Sequence, residues 1–408
     1  MYYITRQKKR EGCVTMKYNF DRPIDRTREI SIKWSPQLRR QMFGAGDVIP
    51  MGIADMDFET APAVAQAIQR RAEHRTYGYA YPSPEYLQAC VDWQKRRNGW
   101  DIRPDWILYT PGVNMALVCG IELYTQPGDR VIVQSPVYYP YYDYIRRTGR
   151  EVAFNPLVER EGRYEMDFDG LEHLAKDPRT KFMILCSPHN PVGRCWTRQE
   201  LERVGRICLE HGVMLAVDEI HGDLILNGQF VAYGTLEEEL VQRCIICTSP
   251  SKTFNLAGLL VSDIIIPNDQ IRADFQEKLA PYYLWPGSFG AAAQIAAYEQ
   301  GEDWLEQLLA YLRGNAQYIG EFIAERMPRV KYRPPEATYL AWLDFRDYGM
   351  DREQLWDFMC HKAWVATDDG PKFGPNGEGD GFQRLNFACP RQQLTKALER
   401  IAQVLDRL

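Results

Sequence analysis

The chain has no excess of basic residues. Its 49 Lys and Arg residues are outnumbered by 55 Asp and Glu residues, so that the formal net charge is −6 at pH 7. A protein whose main partner is nucleic acid needs a basic face that can contact phosphates. The sequence therefore predicts no nucleic-acid partner.

Long hydrophobic runs are also absent from the sequence. No apolar stretch approaches the roughly 20 residues that a helix needs to cross a bilayer, and no membrane association is predicted. The basic stretch at 6–10 is not followed by an apolar core, which is unlike a signal peptide. We expect a cytoplasmic protein in which residues 1–16 form an extension and Met16 is an alternative start.

The ten cysteines do not have the spacing of a disulfide framework. They indicate free thiols in a reducing compartment. Cys244 and Cys247 are spaced like a redox or zinc pair, but residues three apart in a strand point to opposite faces, and no second pair completes a tetrahedral site. We therefore interpret this pair as structural and predict no metal site.

Apolar strand-like runs alternate with amphipathic helical segments along the middle of the 408-residue chain. Thr197, which an acidic residue soon follows, predicts the start of one helix. Alternation of this kind predicts an α/β fold with a mostly parallel sheet that helices cover. The runs that predict buried strands are 130–133, 181–185, 213–217 and 244–247.

The C-terminal part of the chain follows a different pattern. After about Gly287 the sequence changes to a long helical stretch through Met327, which a strand at 338–343 and a closing helix from Pro390 follow. The predicted division is an N-terminal extension with part of a small domain at 1–60, a large domain at 61–290, and a long connecting helix with the rest of the small domain at 291–408.

Polar residues follow several of the predicted strands. Asn190, Asp218 and Lys252 lie at or just after strand ends, where ligands bind in parallel sheets, so that one pocket can collect all three. Lys252 stands between hydroxyl residues and a glycine turn. A desolvated amine there has a lowered pKa and can form a Schiff base with an aldehyde, although an ordinary surface lysine at a strand end also fits this segment.

Three segments, 187–193, 216–221 and 249–258, contain in this order an Asn-Pro turn, a strand-end Asp and a Ser-x-x-Lys sequence. On these residues the chain resembles the fold-type I pyridoxal-phosphate (PLP) enzymes, the aspartate-aminotransferase-like superfamily, from about Trp34 to the C-terminus. The resemblance implies PLP as the cofactor, a large PLP-binding domain with a mostly parallel central sheet, and a smaller α+β domain. PLP needs a lysine, a carboxylate for its ring nitrogen and anchors for its phosphate.

The resemblance assigns the ring of the cofactor to residues at the strand ends. Lys252 would hold PLP and act as the base that moves the Cα proton. Asp218 would pair with the ring nitrogen, and Asn190 would hydrogen-bond the ring hydroxyl oxygen. Tyr138 would stack on the ring, with Tyr139 as its competitor for this role.

His221 stands three residues after Asp218, where many aminotransferases carry a tyrosine. The resemblance therefore places His221 near the cofactor. An alternative interpretation takes Asp218, Glu219 and His221 as metal ligands, but we expect the cofactor role instead.

Substrate binding is assigned to Arg384, together with Asn190 and Tyr138. Arg384 matches the family arginine that binds the substrate α-carboxylate. A planar guanidinium suits a bidentate contact with a carboxylate, and a lysine would be a poor substitute.

The phosphate of the cofactor would be held at the start of a helix. The residues implied are Gly112, Val113 and Asn114, which precede the helical run at 115–123 and whose backbone N–H groups can bind an anion. Ser249 and Ser251 would add hydroxyl groups.

Two further positions concern the phosphate. Tyr77 resembles the family tyrosine that reaches the phosphate of the neighbouring subunit, which implies a homodimer with shared active sites. Aminotransferases usually carry an arginine eight residues after the lysine, but this chain has Leu260 there. The phosphate therefore has one cation fewer, and the sequence leaves open which group compensates.

The chain resembles one subgroup more closely, the cystathionine β-lyase and cysteine-S-conjugate β-lyase type. The similar segments are 54–58, 188–194, 218–221, 251–258 and 384–390, and Leu260 fits this subgroup too. The resemblance implies a C–S β-lyase that cleaves small amino-acid substrates, L-cystathionine or related cysteine S-conjugates, to a thiol, pyruvate and ammonia. The alternative is an aminotransferase for aromatic or neutral L-amino acids, because fold alone does not choose the reaction. Binding to a regulator protein is expected at most as an additional activity.

Overall fold

The computed structural model describes residues 17–44 and 46–407 of the chain. The expected extension at 1–16, and with it the choice between Met1 and Met16 as the start, lies outside these residues. Within the described ranges, no helix is both long and apolar enough to cross a membrane.

Most of the strands lie in the middle of the chain, where they alternate with helices. In chain order the strands are β1 (Ile49–Pro50), β2 (Ile107–Thr110), β3 (Arg130–Val133), β4 (Glu151–Phe154), β5 (Val158–Arg160), β6 (Arg163–Glu165), β7 (Thr180–Cys186), β8 (Met214–Asp218), β9 (Cys244–Thr248), β10 (Ser262–Ile265), β11 (Lys331–Tyr332), β12 (Leu340–Asp344), β13 (Val365–Ala366), β14 (Asp368–Asp369) and β15 (Phe382–Asn386).

The helices range from single turns to a helix of 25 residues. In chain order they are α1 (Pro36–Phe43), α2 (Pro62–Glu73), α3 (Pro84–Asn98), α4 (Val113–Tyr124), α5 (Pro140–Arg147), α6 (Phe168–Ala175), α7 (Arg198–Glu210), α8 (Glu238–Val241), α9 (Pro250–Thr253), α10 (Asp269–Leu279), α11 (Ser288–Gln300), α12 (Glu302–Arg326), α13 (Arg352–Asp357) and α14 (Arg391–Leu405). The predicted start of α7 is confirmed, because Thr197 and Glu200 form a reciprocal capping box there.

A seven-stranded sheet forms the centre of the molecule, in the order β2-β10-β9-β8-β7-β3-β4. The strands from β9 to β4 are parallel, and β10 alone runs antiparallel to both of its neighbours in this sheet. The predicted runs are confirmed as β3, β7, β8 and β9, and the α/β class with a mostly parallel sheet is confirmed with them. Because β7, β8 and β9 are parallel, their carboxyl ends meet at one edge of the sheet.

Hydrophobic side chains cover both faces of this sheet. Ile132 belongs to one core cluster, while its neighbours Val131 and Val133 belong to the other. Strands buried on both faces are continuous apolar runs, which explains why the sequence revealed them. Cys244 and Cys247 also lie in different clusters, as predicted for residues three apart in a strand. The nine cysteines in the described part of the chain are buried and unpaired; the reducing compartment stays a prediction.

A second, antiparallel sheet lies near the C-terminus, in the order β11-β12-β15-β14. The helices α12 and α14 belong to the same part of the chain, which gives it the α+β character expected of the small domain. Strand β1 pairs with β13 and so joins the N-terminal segment to this part. The division of the chain at 60 and 290 stays a prediction.

The long helical stretch predicted after Gly287 is helical in the structure, but it is divided in two. The structure has two helices, α11 and α12, which meet at Gly301. A Cβ at this position would lie 2.4 Å from the ring of Phe254, so only glycine fits between the helix turn and the ring. The choice of glycine at this position therefore follows from packing against a residue far away in the sequence.

Candidate active site

A cavity opens where β7, β8 and β9 end, next to the start of α4. Residues that are far apart in the chain meet here, because the sheet collects its strand ends at one edge. Of the residues that the sequence predicted for the site, those that line the cavity are Gly112, Val113, Asn114, Tyr138, Asn190, Asp218, His221, Ser251 and Lys252.

Lys252 is the third residue of the short helix α9 and is partly buried. Its Nζ donates a hydrogen bond to the backbone oxygen of Ala54 at 2.7 Å. Burial, and next the positive charge of Arg384, lower the pKa of the Lys252 amine to about 8. Roughly a tenth of the amine is therefore unprotonated at neutral pH, and this form is both a nucleophile and a base.

Asp218 ends strand β8 and is 5% exposed. The hydroxyl of Tyr141 donates to its Oδ2 at 2.6 Å, and the backbone N–H of Ile220 donates to its Oδ1 at 3.1 Å. Burial raises the pKa of the Asp218 carboxyl, while these two hydrogen bonds and the charge of Lys252 act in the opposite direction. A cationic ring nitrogen placed against this carboxylate would keep it ionised.

The sequence interpretation missed Tyr141. The residue is fully buried and lines the cavity, and its ring lies 5.3 Å from that of Tyr138. The spacing of three residues at the start of α5 is the signal that could have placed both tyrosines on one side. Tyr139 instead packs against Phe373, with 5.2 Å between the ring centres. It is not one of the described residues that line the cavity. The geometry therefore favours Tyr138 over Tyr139 for stacking on a ring.

Arg384 contacts the cavity through Asn190. Its Nη1 donates to Asn190 Oδ1 at 3.0 Å, and its Nη2 donates to the backbone oxygen of Gly52 at 2.9 Å. Arg384 is 3% exposed and is not one of the described residues that line the cavity. Its positive charge nevertheless lowers the pKa of both Lys252 and His221. The guanidinium therefore favours the neutral form of both side chains.

His221 points its imidazole at the same cavity. The residue is 3% exposed, and its ring lies 6.0 Å from that of Tyr339. Burial, and then the charges of Lys252 and Arg384, lower the pKa of His221 well below its usual value, so the ring is neutral. Its Nδ1 has no hydrogen-bond partner among residues 17–44 and 46–407. A buried polar atom without a partner is suited to a ligand atom.

The start of α4 forms the anion-binding end of the cavity. Gly112 has a φ of +101°, a conformation that favours glycine, and its position turns the chain into the helix. The N–H groups of Val113 and Asn114 come first in α4, where a helix has no internal acceptor for them and where its dipole attracts anions. Among the described residues that line the cavity, Lys252 is the only cation. This chain has Leu260 where aminotransferases usually carry an arginine, so backbone amides and hydroxyls would hold a phosphate here.

Two predicted phosphate ligands lie elsewhere. Ser249 is buried beside the cavity, with its Oγ 2.6 Å from the backbone oxygen of Val261 and 2.8 Å from Ser251 Oγ, whereas Ser251 lines the cavity itself. Tyr77 lies on the surface with an exposure of 61% and stacks against Phe289 at 5.7 Å. The roles of all these residues toward a cofactor stay predictions.

A buried charge cluster supports the segment that contacts Lys252. The ammonium of Lys33 lies 3.3 Å from Asp55 and 3.0 Å from Asp57, and Arg26 pairs with the same two carboxylates at 3.1 and 2.8 Å. Ala54, next to this cluster, presents its backbone oxygen to Lys252. The ion pairs therefore hold the acceptor of the lysine amine in place.

The groups around the cavity fit PLP. Lys252 offers an amine with a lowered pKa to the aldehyde, and Asp218 offers a buried carboxylate to the ring nitrogen. The amides of α4 suit the phosphate, and the unpartnered nitrogen of His221 lies in the same cavity. Each requirement of the cofactor thus meets a suitable residue.

Almost the whole chain is similar to known proteins. The family model for aminotransferase class I and II matches residues 46–401. The chain is 40% identical over 390 residues to cystathionine beta-lyase PatB of Bacillus subtilis, covering 95% of this chain and 100% of that protein. It is 32% identical over 385 residues to protein MalY of Escherichia coli, covering 93% of this chain and 97% of that protein.

Solved structures are similar over the same length. Cystalysin from Treponema denticola, which contains a pyridoxal 5'-phosphate cofactor, has a TM-score of 0.92 and 36% sequence identity, covering 96% of this chain and all of that one. The PLP-bound C-S lyase from Staphylococcus hominis has a TM-score of 0.88 and 30% identity, covering 97% of this chain and all of that one. The chain belongs to the class I and II aminotransferase family, within the aminotransferase-like fold.

Proposed function

We propose that this chain is a PLP-dependent C–S β-lyase that cleaves L-cystathionine or related cysteine S-conjugates to a thiol, pyruvate and ammonia. The observation that carries the proposal is the cavity in which the Lys252 amine, with a pKa of about 8, faces Asp218 and His221. The likeness to PatB over the full length of that protein supports the same reaction class.

Four parts of the cavity would hold the cofactor. When bound, PLP supplies an aldehyde for an amine and a ring that withdraws electrons from the substrate Cα. The amine of Lys252 would hold the aldehyde carbon, and Asp218 would hold the ring nitrogen. Tyr138 would cover one face of the ring, and the N–H groups at the start of α4 would bind the phosphate.

Other contacts would accept the Cα proton and bind the substrate α-carboxylate. The neutral amine of Lys252 can accept the Cα proton at Nζ, because its pKa of about 8 leaves part of it unprotonated near neutral pH. The backbone oxygen of Ala54 orients this amine. Arg384 would bind the α-carboxylate and so orient the Cα–H bond toward Lys252.

The time course of pyruvate formation tests this function. Purified PLP-loaded protein, given L-cystathionine and no 2-oxo acid, is expected to form pyruvate continuously, over many equivalents per active site. A lyase restores its starting state in each cycle, whereas an aminotransferase stops after one equivalent until an oxo acid accepts the amino group. The control repeats the assay with added 2-oxoglutarate. A single stoichiometric burst that the oxo acid relieves would move the assignment to an aminotransferase.

We also propose that the chain forms a homodimer with shared active sites. Large aromatic side chains are exposed in two segments: Tyr79 and Tyr81 directly follow Tyr77 in the chain, and Tyr282, Tyr283 and Trp285 come shortly before Phe289, whose ring stacks on Tyr77. Exposed apolar patches of this kind are typical of protein interfaces. A dimer would place Tyr77 within reach of the partner's phosphate site.

Sedimentation tests the dimer. The protein is expected to sediment at about twice the 47.4 kDa mass of the chain. The double variant Tyr79→Glu and Tyr81→Glu should dissociate and lose activity together, because charge in an apolar interface opposes association. Gln199→Glu, at an exposed position of α7, is the matched control and should remain dimeric. A fully active monomer would refute the proposal.

A further inference from the structure

Arg384 has an ionic partner of its own. Its Nη2 lies 2.9 Å from Asp368 Oδ2, and the other oxygen of Asp368 lies 3.1 Å from Lys372 Nζ. Asp368 is 8% exposed, whereas the side chain of Lys372 is 39% exposed. These three residues, here called the ion triad, lead from the buried guanidinium toward solvent.

The small sheet brings Asp368 to Arg384. The two residues are direct partners across β14 and β15, and oppositely charged cross-strand neighbours attract each other. The ring of Phe373 lies 4.6 Å from the guanidinium carbon of Arg384 and stacks against it. The guanidinium is therefore held both along its edge and on its face.

The hydrogen bonds determine which donors of Arg384 remain. Both hydrogens of Nη2 are used, by the backbone oxygen of Gly52 and by Asp368 Oδ2, each at 2.9 Å. In the part of the chain that the structure describes, Nε has no acceptor. Asp368 therefore fixes one end of the guanidinium plane while leaving a buried donor unused.

We propose that Asp368 is a positioning residue, which holds Arg384 in the orientation that binds the substrate α-carboxylate, and that Lys372 neutralises Asp368 so that it does not repel this carboxylate. The inference rests on the proposed function, because it takes an amino acid as the substrate. A guanidinium that loses a fixed counter-ion loses its orientation, and an uncompensated carboxylate beside the site would repel an anionic group.

Asp369 provides a matched control for Asp368. It is the next residue of β14 and is 3% exposed. Its Oδ2 accepts from Nε of Arg352 at 2.9 Å, and Arg352 is an exposed residue. Asp369→Asn therefore removes an equally buried carboxylate from the opposite side of the strand and leaves the ion triad intact.

The test measures the dissociation constants of the PLP-loaded protein for L-alanine and for L-alaninamide by the change in visible absorbance. The two probes differ in the α-carboxylate that Arg384 would bind. For Asp368→Asn we expect the dissociation constant of L-alanine to rise about tenfold and that of L-alaninamide to change by less than about twofold. Asp369→Asn should leave both constants within about twofold of those of the unaltered protein.

Equal losses for both probes in Asp368→Asn, or an equal selective loss in Asp369→Asn, would overturn the positioning role. If the unaltered protein binds both probes equally well, the proposed function itself fails, because the site does not recognise an α-carboxylate. Lys372→Met changes only a half-exposed residue and keeps the inference testable if Asp368→Asn does not fold. This variant should raise the dissociation constant of L-alanine about threefold and leave that of L-alaninamide unchanged. If Lys372→Met shows no such selective change, the role given to Lys372 is contradicted.

Discussion

Replacement of Lys252 with alanine is expected to lower pyruvate formation from L-cystathionine by at least about 10⁴-fold. The variant lacks the amine that we propose holds PLP and accepts the Cα proton. No other described lysine lines the cavity, so no neighbour can take over. The visible absorbance of bound PLP should also disappear, and reduction with borohydride should leave no PLP attached to the chain.

Lys252→Arg separates the chemistry of the amine from its positive charge. A guanidinium keeps the charge but stays protonated at all accessible pH values, and it cannot serve as a nucleophile here. The variant is expected to be as inactive as Lys252→Ala, while thermal unfolding shows whether the fold is kept. PLP that borohydride still fixes to Lys252→Ala would mean that another lysine holds the cofactor.

The strand ends of the site were predictable because their signals are local in the sequence. Asn190, Asp218 and Lys252 each follow a continuous apolar run, and such runs identify strands that are buried on both faces. The parallel order of β7, β8 and β9 then requires their ends to meet. The pocket that contains these three residues follows from topology without any knowledge of side-chain contacts.

Contacts between side chains were not predictable in the same way. Tyr141 binds Asp218 across 77 positions of sequence, and Asp368 binds Arg384 across 16. Both contacts depend on how a helix or a strand packs against its neighbour. Residue type alone does not determine this packing. The contacts of Lys33 were not predictable either, because a lysine near the N-terminus gives no sign that it is buried between Asp55 and Asp57.

Packing also explains the glycine between two helices. The segment after Gly287 has a continuous helical pattern, yet α11 stops at Gly301, where the ring of Phe254 excludes a side chain. Glycine within a helical pattern costs only about 1 kcal/mol relative to alanine, so the residue does not by itself predict a break. The glycine itself is explained by the ring of Phe254, which follows Lys252 by two positions.

Arg384→Ala is expected to lower kcat/KM for L-cystathionine by roughly 10²- to 10³-fold while PLP stays attached. The substrate α-carboxylate would lose its charged hydrogen-bond partner, and the Cα–H bond would no longer be directed at Lys252. Arg384→Lys should be impaired almost as strongly, because a single ammonium cannot reproduce the planar contact. Unchanged kinetics in either variant would mean that another group holds the carboxylate.

The same two variants separate the charge of Arg384 from its geometry through the pKa of Lys252. Burial and the charge of Arg384 lower this pKa to about 8, while Asp55 and Asp218 raise it. Loss of the positive charge in Arg384→Ala should therefore raise the pKa of Lys252, and Arg384→Lys should leave it near its present value. Only the neutral amine joins an aldehyde, so the rate at which PLP-free protein takes up PLP should rise with pH up to this pKa. A midpoint that moves to higher pH in Arg384→Ala but not in Arg384→Lys would establish the electrostatic effect; an equal midpoint in all three proteins would leave burial as its cause.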